Sequence, residues 1–271
     1  MQNNDEMKGK VAVVTGGASG IGKGIAQRFI ANGMHVVIAD VDQAALDKTA
    51  EEIGAHPVLT DVSSSASVAA LADATLKKFG RVDVVCNNAG VGPMANIAEM
   101  SLDDWQWLIN VNLWGVIHGI HTFLPLMERN PEGGHLINTA SIGGLATMPG
   151  LGGYCVTKYG VVALTETLAQ ELEISGSKVT ATVLIPGLVH SNIKNSSRTR
   201  PNVPGDAKLM DVDIADNPAV ANMRWLEPAD VGDFVLEAIR QKSLYAFTHP
   251  EMFRLIEKRF DQIKTANATH N

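Results

Sequence analysis

The sequence predicts an α/β fold in which helices cover both faces of a doubly wound parallel sheet. Short runs of β-branched and other apolar residues alternate with longer segments of helical periodicity, and this alternation is typical of parallel strands joined by helices. The short runs are apolar at nearly every position, as expected for strands buried on both faces. A glycine-rich turn follows the first run, where a strand passes into a helix. Together these features predict a three-layer α/β/α arrangement.

Each element can be placed in order from its pattern. We predict strands at residues 10–15, 35–40, 56–60, 82–87, 135–140 and 178–185. We predict helices at residues 20–32, 42–53, 66–79, 102–129 and 155–174, and one more that begins near Pro228. Ser101 and Asp104 form a capping-box pattern before the fourth helix. Pro228 suits a first helical turn, where proline is tolerated.

The pattern indicates one domain over residues 1–271, because no linker rich in proline, glycine or serine separates two cores. One excursion, between about residues 190 and 226, interrupts the periodicity. Its main part, residues 192–225, is polar and contains three prolines. An aperiodic segment of this length inside a domain usually has a function or is disordered.

The composition excludes several classes of function. The chain has 271 residues, of which 45% are hydrophobic, and its net charge of −7 leaves no basic surface for nucleic acid. No apolar run approaches the roughly 18 residues of a membrane span, and the polar start is unlike a targeting segment. Cys86 and Cys155 lie far apart without metal-ligand spacing, so we expect no metal site and no disulfide. We therefore expect a cytoplasmic protein with a small-molecule substrate and no nucleic-acid or membrane partner.

The glycine-rich turn is the first sign of a ligand. Gly16, Gly20 and Gly22 follow the first strand in a G-x-x-x-G-x-G pattern. Without side chains the backbone can approach a pyrophosphate, and the amides that begin the next helix point at its negative charge. Alternatively, the glycines serve only the close packing of that helix against the strand.

Asp40 ends the second strand, where a carboxylate is expected to bind a ribose hydroxyl of a dinucleotide. Its sequence neighbours Ala39, Val41 and Asp42 offer no cation to a 2′-phosphate. We therefore expect NAD in preference to NADP as the cofactor. The alternative is that Asp40 is the cap of the helix at 42–53.

Tyr154 and Lys158 are one helical turn apart in the stretch YCVTK, so their side chains share a face. Tyrosine, with a pKa of about 10, is a poor base at neutral pH, but a cation within roughly 4–6 Å favours the phenolate and lowers that pKa. Ser141 lies at the carboxyl end of the strand at 135–140, the edge where ligands bind a parallel sheet. Its hydroxyl would hold a substrate oxygen beside the phenol, although a simple capping role also accounts for a serine there.

These features resemble the single-domain branch of the short-chain dehydrogenase/reductase family over roughly residues 8–190 and again after Pro228. The matching motifs, in order, are TGGASGIG (15–22), DV (61–62), NNAG (87–90), the asparagine of NVNLWGV (110–116), Ser141, YCVTK (154–158) and PG (186–187). The resemblance implies a Rossmann-type fold and a hydride transfer between a nicotinamide cofactor and an alcohol or ketone.

The resemblance also implies roles for individual residues. Tyr154 would be the general acid/base, Lys158 would lower its pKa and bind the nicotinamide ribose, and Ser141 would orient the substrate oxygen. Asn112 would hold a water that links Lys158 to solvent, although taken alone it is as well explained as an ordinary polar helix residue. The implied cofactor-binding residues are Gly16, Ser19, Gly20, Ile21, Gly22, Asp40, Asp61, Val62, Asn88, Ala89, Gly90, Tyr154, Lys158, Pro186, Gly187, Val189 and Ser191. Ser191 is a departure, since the family often has threonine near this position.

The stretch between Ser141 and Tyr154 is glycine-rich and otherwise apolar. It favours a hydrophobic secondary alcohol or its ketone, such as an aromatic or polycyclic one, over a sugar or a hydroxy acid. The expected substrate-pocket residues are Ser141, Gly143, Leu145, Met148, Leu151, Met94 and His190. The excursion is expected to close over the substrate as a lid, with apolar contacts from Leu209, Met210, Met223 and Trp225.

Two other functions share parts of this pattern. A lyase resembling the halohydrin dehalogenases uses serine, tyrosine and a basic residue without a nucleotide, but such proteins lose the glycine-rich turn that this chain keeps. A non-catalytic dinucleotide sensor would lose Tyr154 or Lys158. The resemblance further implies a homo-oligomer, a tetramer or a dimer, paired through the helices at 102–129 and 155–174, although core burial explains the apolar residues of the second helix equally well.

Overall fold

Seven parallel strands form one sheet between two layers of helices. The structure, a computed structural model, describes residues 6–201, 205, 207–218, 220 and 222–268. The strands are β1 (Val11–Thr15), β2 (His35–Asp40), β3 (His56–Leu59), β4 (Val84–Asn87), β5 (Gly134–Thr139), β6 (Val179–Ile185) and β7 (Tyr245–Phe247). They lie in the order β3-β2-β1-β4-β5-β6-β7. The direction of winding reverses between β1 and β4, and ligands bind such sheets in the crevice beyond the carboxyl ends of the strands at that point.

Helices cover both faces of the sheet. They are α1 (Gly20–Ala31), α2 (Gln43–Ile53), α3 (Ser65–Phe79), α4 (Leu102–Ile109), α5 (Gly115–Met127), α6 (Gly152–Ile174), α7 (Pro228–Gln241) and α8 (Phe253–Ala268). On one face, α1, α2 and α7 contribute buried side chains such as Phe29 and Val235 to a core cluster. On the other face, α3, α5 and α6 contribute Phe123 and Leu168 to a second cluster. The predicted three-layer α/β/α fold is confirmed.

The predicted strands all form, each with bounds within two residues of the expectation. The helix predicted at 102–129 is instead α4, a π-helical turn at Asn110–Trp114, and α5. α6 begins at Gly152, before the predicted start, and so includes Tyr154 in its first turn.

Two elements were missed, β7 and α8. β7 is a three-residue edge strand, which is too short to show a period of two. In α8 the apolar residues Phe253, Ile256, Phe260 and Ile263 have helical spacing, but among them only Ile256 is buried. The helical spacing of α8 was therefore visible in the sequence, but the helix contributes only Ile256 to a small buried cluster.

The predicted starts of two helices are also confirmed. Ser101 Oγ accepts from the amide of Asp104 at 3.2 Å, and the carboxylate of Asp104 accepts from the amide of Ser101 at 3.0 Å. Pro228 occupies the first turn of α7. α7 also lies directly against α1, because a Cβ atom at Gly24 would clash with the carbonyl oxygen of Pro228. The position of α1 therefore depends on α7.

The excursion leaves the sheet after β6 and returns at α7, and its two ends meet in a parallel bridge between Val189 and Leu226. Its described part contains a helical segment at Asn192–Thr199, with a kink at Asn195, and a short turn at Ile214–Asp216. Residues 202–204, 206, 219 and 221 lie outside the described residues. We call residues 192–201 the strap.

Three further features concern the described ranges. No helix there is both long and apolar enough to cross a membrane. The same residues contain no group of three or more His, Cys, Asp or Glu side chains that could hold a metal ion. Cys86 and Cys155 are both buried free thiols.

Candidate functional site

The glycine-rich turn joins β1 to α1 and forms the floor of a cleft. Gly16 has a φ of +65°, and a Cβ there would lie 2.8 Å from the Cα of Ala89, so a side chain at Gly16 is excluded both by conformation and by space. A Cβ at Gly22 would collide with the carbonyl oxygen of Gly16. The side chain of Ser19, which precedes α1, makes no capping hydrogen bond in the described structure. The first amides of α1 are therefore available to an anion at the end of the cleft.

Asp40 lies beside this turn at the end of β2. Its carboxylate accepts from the amide of Ala18 at 3.2 Å and from the amide of Asp42 at 3.1 Å. The cap of α2 is Asp42, which accepts from the amide of Ala45 at 3.1 Å. The alternative that Asp40 is the helix cap is therefore wrong, and its side chain is held against the glycine-rich turn.

A cation does lie at this edge of the cleft, although the sequence neighbours of Asp40 include none. Arg198, on the strap, has its Nε atom 3.8 Å from Oδ2 of Asp42. Both Asp40 and Arg198 line the same cavity. The excursion places this arginine on the cleft beside Asp42. Residues 39–42 alone do not predict that contact, because Arg198 is distant in the sequence.

The ends of β1, β4 and β5 are tied together by side-chain hydrogen bonds. Asn88 donates its side-chain amide to the carbonyl oxygen of Thr15 at 3.0 Å, and its backbone amide to Thr15 Oγ1 at 2.9 Å. Thr139 donates to Asn88 Oδ1 at 3.3 Å. These bonds hold three strand ends, and with them the adjoining Ala89 and Gly90, at fixed positions on the cleft floor.

Asp61 and Val62 form a second edge of the cleft after β3. The carboxylate of Asp61 accepts from the amide and the hydroxyl of Ser63 at 2.9 and 2.7 Å. The carbonyl oxygen of Val62 lies 2.9 Å from Nδ1 of His118 on α5. Asp61 and Val62 line the cavity, so the turn is fixed at its own end and from α5.

Tyr154, Lys158 and Ser141 converge at the inner part of the cleft. Lys158 is only 3% exposed, and its Nζ atom donates to the carbonyl oxygen of Thr139 at 2.8 Å. That Nζ lies 5.6 Å from the centre of the Tyr154 ring. Ser141 hydrogen-bonds the phenol, while its Oγ also accepts from the amide of Gly143 at 3.1 Å. Ser141 therefore combines the capping role with the contact to Tyr154.

Burial controls the protonation of both groups. It raises the pKa of Tyr154 to about 12, against an opposing effect of the hydrogen bond with Ser141. It lowers the pKa of Lys158 to about 8. In the protein alone the pKa of the phenol is therefore raised, because the loss of phenolate hydration outweighs the favourable contact with Ser141. The lowered pKa expected beside Lys158 and a bound nicotinamide stays a prediction.

Asn112 lies in the π-helical turn, a type of irregularity that is frequent at functional sites. It is fully buried, and its side chain accepts from the amide of Val91 at 2.8 Å and donates to the carbonyl oxygen of Val91 at 2.9 Å and to Thr157 Oγ1 at 3.2 Å. A Cβ added to Gly90 would lie 3.3 Å from Asn112 Oδ1 and 3.5 Å from Lys158 Nζ. The two side chains thus face each other across Gly90.

One cavity of about 1060 Å³ contains most of the predicted site. Every predicted cofactor-binding residue lines it except Gly22, which is buried beneath the turn. Of the predicted substrate-pocket residues, Ser141, Met148, Leu151 and His190 line it as well. His190 stays mostly exposed at the rim, where its ring stacks on Trp225 at 5.1 Å.

Three predicted pocket residues do not line the cavity. Leu145 packs against core clusters on the far side of the Ser141 turn. Met94 forms an antiparallel bridge with Met210. Gly143 lies behind the phenol, since a Cβ there would be 3.3 Å from Cε1 of Tyr154.

The expected lid contacts are corrected in the same way. Among the four residues, Trp225 lines the cavity. Leu209 packs against the cluster of Val91, Trp107 and Leu108, and Met223 packs against the cluster of Ile142, Met252 and Ile256 without lining the cavity itself. Met210 is 64% exposed. An aperiodic segment carries no signal of which side chains face inward.

The strap holds residues that sequence reasoning missed. Arg200 pairs with Asp104 at 2.5 Å, with both side chains almost fully buried, and its guanidinium lies 5.3 Å from the centre of the Trp107 ring. Ser196 accepts from the amide of Gly92 at 3.1 Å. These partners lie far apart in the sequence, and no local pattern joins them.

A further missed group lies after β7. Thr248 Oγ1 accepts from the amide of Gly187 at 3.1 Å and lies 2.7 Å from Nδ1 of His249. Nε2 of His249 lies 3.1 Å from the carbonyl oxygen of Arg224. Because a carbonyl only accepts, Nε2 carries the proton in the neutral ring, and Nδ1 accepts from the threonine hydroxyl. Desolvation lowers the pKa of His249, which favours that neutral form.

Comparison with known proteins agrees with this geometry. The family model described as short chain dehydrogenase matches residues 10–202. A short-chain dehydrogenase/reductase from Burkholderia phymatum, solved in complex with NAD, is 38% identical and covers 96% of each chain with a TM-score of 0.90. A CLA biosynthesis dehydrogenase/reductase of Lactiplantibacillus plantarum is 31% identical over 97% of this chain and 96% of its own length. A 3beta-hydroxysteroid dehydrogenase 2 of Eggerthella lenta is 36% identical over 76% of this chain and 81% of its own length. The chain therefore belongs to the short-chain dehydrogenase/reductase family of oxidoreductases.

Proposed function

We propose that this protein is an NAD-dependent dehydrogenase/reductase that interconverts a hydrophobic secondary alcohol and its ketone, with Tyr154 as general acid/base. The observation that carries the proposal is that one cavity joins two sets of groups. At one end lie the glycine-rich turn and Asp40, and at the inner end lie Ser141, Tyr154 and Lys158.

The residues present fit a dinucleotide. The glycine-rich turn has no room for a Cβ at Gly16, and the uncapped start of α1 faces the cleft, as binding of a pyrophosphate requires. The cavity volume of about 1060 Å³ lies just above the roughly 300–1,000 Å³ typical of small-molecule sites. That volume suits a dinucleotide together with a substrate.

NAD rather than NADP is proposed because the adenosine edge of the cleft is acidic. The side chain of Asp40 is fixed by two backbone amides beside the glycine-rich turn, where the ribose would lie. A carboxylate there accepts hydrogen bonds from a 2′-hydroxyl and repels a 2′-phosphate. The Burkholderia phymatum relative was solved in complex with NAD, which supports the choice of NAD as the coenzyme proposed for this protein.

The proposed chemistry divides an alcohol into a ketone, a hydride and a proton. A bound NAD, held by the glycine-rich turn and Asp40, would supply the acceptor for the hydride of the alcohol carbon. Tyr154 accepts the hydroxyl proton in the oxidation and returns it in the reduction. Ser141, which already hydrogen-bonds the phenol, would hold the substrate oxygen beside it and stabilise the charge that develops there.

Lys158 and the oxidised cofactor would together make Tyr154 competent as a base. Burial alone raises the phenol pKa to about 12, so a positive charge must offset the lost hydration of the phenolate. The ammonium of Lys158 is held in place by Thr139, and the ring of the oxidised nicotinamide is positive. We propose that Asn112, across Gly90 from Lys158, helps to relay the proton onward.

The substrate class is proposed from the side chains near the phenol. Ile142, Met148, Leu151, Ile193 and Met252 line the cavity and carry no charge. They favour an apolar alcohol, and the relative from Eggerthella lenta is named for a hydroxysteroid. A panel of aromatic, steroidal and terpenoid alcohols with NAD at alkaline pH would identify the class, and preferential oxidation of sugars or hydroxy acids would contradict it.

Two measurements on Tyr154→Phe test the catalytic assignment. The variant should bind NADH as the wild type does, by fluorescence titration, while its turnover falls at least roughly a hundredfold, as expected when a general acid/base is removed. Retained turnover would remove Tyr154 from the mechanism. Failure of the wild type to bind NADH would instead favour a lyase, and binding without oxidation of any alcohol would favour a dinucleotide sensor.

We also propose that the protein acts as a homo-oligomer through α5 and α6 and the turn before α5. Trp114 in the π-helical turn and Val156 on α6 are 46% and 52% exposed, so these elements leave apolar surface that a second copy of the chain would cover. Light scattering on a size-exclusion column should give a dimer or a tetramer. A monomer over the working concentration range would contradict this proposal.

A further inference from the structure

The strap crosses the mouth of the cofactor cleft and is attached on both sides of it. Where it begins, Ser191 packs on the glycine-rich turn, since a Cβ at Gly20 would lie 3.0 Å from Cβ of Ser191. Further along, Ser196 accepts from the amide of Gly92, and Arg200 pairs with Asp104. The strap therefore spans from the end of β6 to the start of α4, over the space assigned above to the dinucleotide.

Arg198 projects from this strap toward the adenosine edge. Its Nη1 donates to the carbonyl oxygen of Asn195 at 2.9 Å, which keeps the side chain along the strap. Its Nε lies 3.8 Å from Oδ2 of Asp42, and the arginine is 42% exposed. At this separation the two groups attract as charges without forming a hydrogen bond. Such an exposed pair is weak, so the arginine is free to change partner.

The carboxylates of Asp40 and Asp42 at this edge differ in their partners. Asp40 uses its oxygens for the amides of Ala18 and Asp42. Asp42 uses Oδ1 for the cap of α2 and leaves Oδ2 toward Arg198. Asp42 is therefore the group that currently balances the charge of Arg198, while Asp40 stands at the ribose.

We propose that Arg198 is a coenzyme-specificity residue that can act as the counter-ion of a 2′-phosphate. Without such a phosphate, Arg198 is paired with Asp42. This inference rests on the proposed function as a nicotinamide-dependent enzyme. Exclusion of NADP then follows from the charge of Asp40 and not from the absence of a cation. With that charge removed, a phosphate dianion would compete with the single carboxylate of Asp42 for Arg198. Arginine binds phosphate through two parallel hydrogen bonds, a geometry that it lacks with Asp42 here.

The test is a binding cycle that needs no substrate. Dissociation constants of NADH and NADPH are measured by fluorescence titration for the wild type, Asp40→Ser, Arg198→Ala and the double variant. Serine retains an acceptor for the amides of Ala18 and Asp42 without the charge. The matched control adds Lys194→Ala to Asp40→Ser, because Lys194 is another cavity-lining strap cation but is already paired with Asp213.

Asp40→Ser should improve the affinity for NADPH relative to NADH by roughly tenfold or more, as expected for one charge-assisted contact. Adding Arg198→Ala should abolish that gain, whereas adding Lys194→Ala should preserve most of it. Arg198→Ala in the wild-type background should change the affinity for NADH by less than roughly threefold, since the pair with Asp42 is weak.

Several outcomes would overturn the inference. A gain for NADPH that survives Arg198→Ala would show that the arginine does not contact the phosphate. Equal weakening of NADH and NADPH by Arg198→Ala would assign it to the pyrophosphate or to the strap itself. If the wild type binds neither NADH nor NADPH, the proposed function fails, which is distinct from failure of the role of Arg198 alone.

Discussion

The buried ion pair between Arg200 and Asp104 allows a stability prediction to be worked from the structure. Arg200→Met removes the guanidinium and keeps an apolar stem. Nη1 lies 2.5 Å from Oδ1, and the two side chains are 4% and 0% exposed. Removing one partner of a buried pair typically costs about 3–5 kcal/mol. Asp104 would retain the amides of Ser101 and Lys208 as donors, so we expect a loss near the lower end, about 3 kcal/mol in the free energy of unfolding.

The measurement is urea unfolding at neutral pH together with a thermal scan. For a chain of this size each kcal/mol lowers the Tm by roughly 2–4 °C, so the Tm should fall by roughly 6–12 °C. Arg198→Met is the matched control, because it lies on the same strap but is 42% exposed and only loosely paired. We expect it to cost less than about 1 kcal/mol. Adding Asp104→Asn to Arg200→Met should recover part of the loss, because the unpaired charge is then removed.

Equal losses from the two methionine variants would refute the reasoning that burial gives the Arg200 pair its weight. A loss below about 1 kcal/mol for Arg200→Met would also refute it. Such a result would mean that the strap detaches and hydrates Asp104 while the sheet remains folded. Hydrogen exchange of the strap amides would then be faster in the variant than in the wild type.

Three further predictions follow from the site. In the folded protein the pKa of Lys158 is lowered to about 8 from an ordinary value of 10.5. Between these pH values the unfolded chain binds more protons, so the contribution of Lys158 to the free energy of unfolding rises with pH. In urea unfolding at pH 7.5 and 10, the wild type should gain up to roughly 3 kcal/mol of stability relative to Lys158→Met with rising pH, and a difference that does not depend on pH would contradict this. Gly90→Ala places a methyl group between Asn112 and Lys158 and should lower kcat by roughly tenfold or more with little change in Tm, while an unchanged kcat would argue against a relay there. Thr248→Val leaves the amide of Gly187 without its acceptor and should raise the NADH Kd by roughly tenfold, whereas Thr248→Ser should not; equal Kd values in the two variants would remove the hydroxyl from cofactor binding.

Local chemistry explains which parts of the molecule were predictable. Gly16 and Asp40 lie at strand ends, and Tyr154 lies one helical turn from Lys158, so the neighbours of each could be predicted from nearby sequence. The covered parallel sheet imposes near-continuous apolar runs, so six strands and most helices were identified within a few residues. The carboxyl ends of those strands then brought Ser141 and Lys158 into one cleft, as the parallel topology requires.

The parts that were missed depend on contacts between distant segments. Arg198 approaches Asp42, and Arg200 pairs with Asp104, through an aperiodic excursion whose path no propensity determines. The π-helical turn around Asn112 spans only five residues, too few for the apolar pattern of 102–129 to reveal it. The direction of the Tyr154 pKa shift also needed the folded structure, because burial of the phenol is a tertiary property.

The two ends of the excursion meet on a single stretch of α1. Ser191 packs against Gly20, and the carbonyl oxygen of Pro228 packs against Gly24, so the points of departure and return are separated by about one helical turn, roughly 6 Å along the axis. A loop whose ends are so close can be lengthened, shortened or replaced with little effect on the sheet. The length of the excursion can therefore vary at little entropic cost, provided that its contacts with Gly92 and Asp104 are kept.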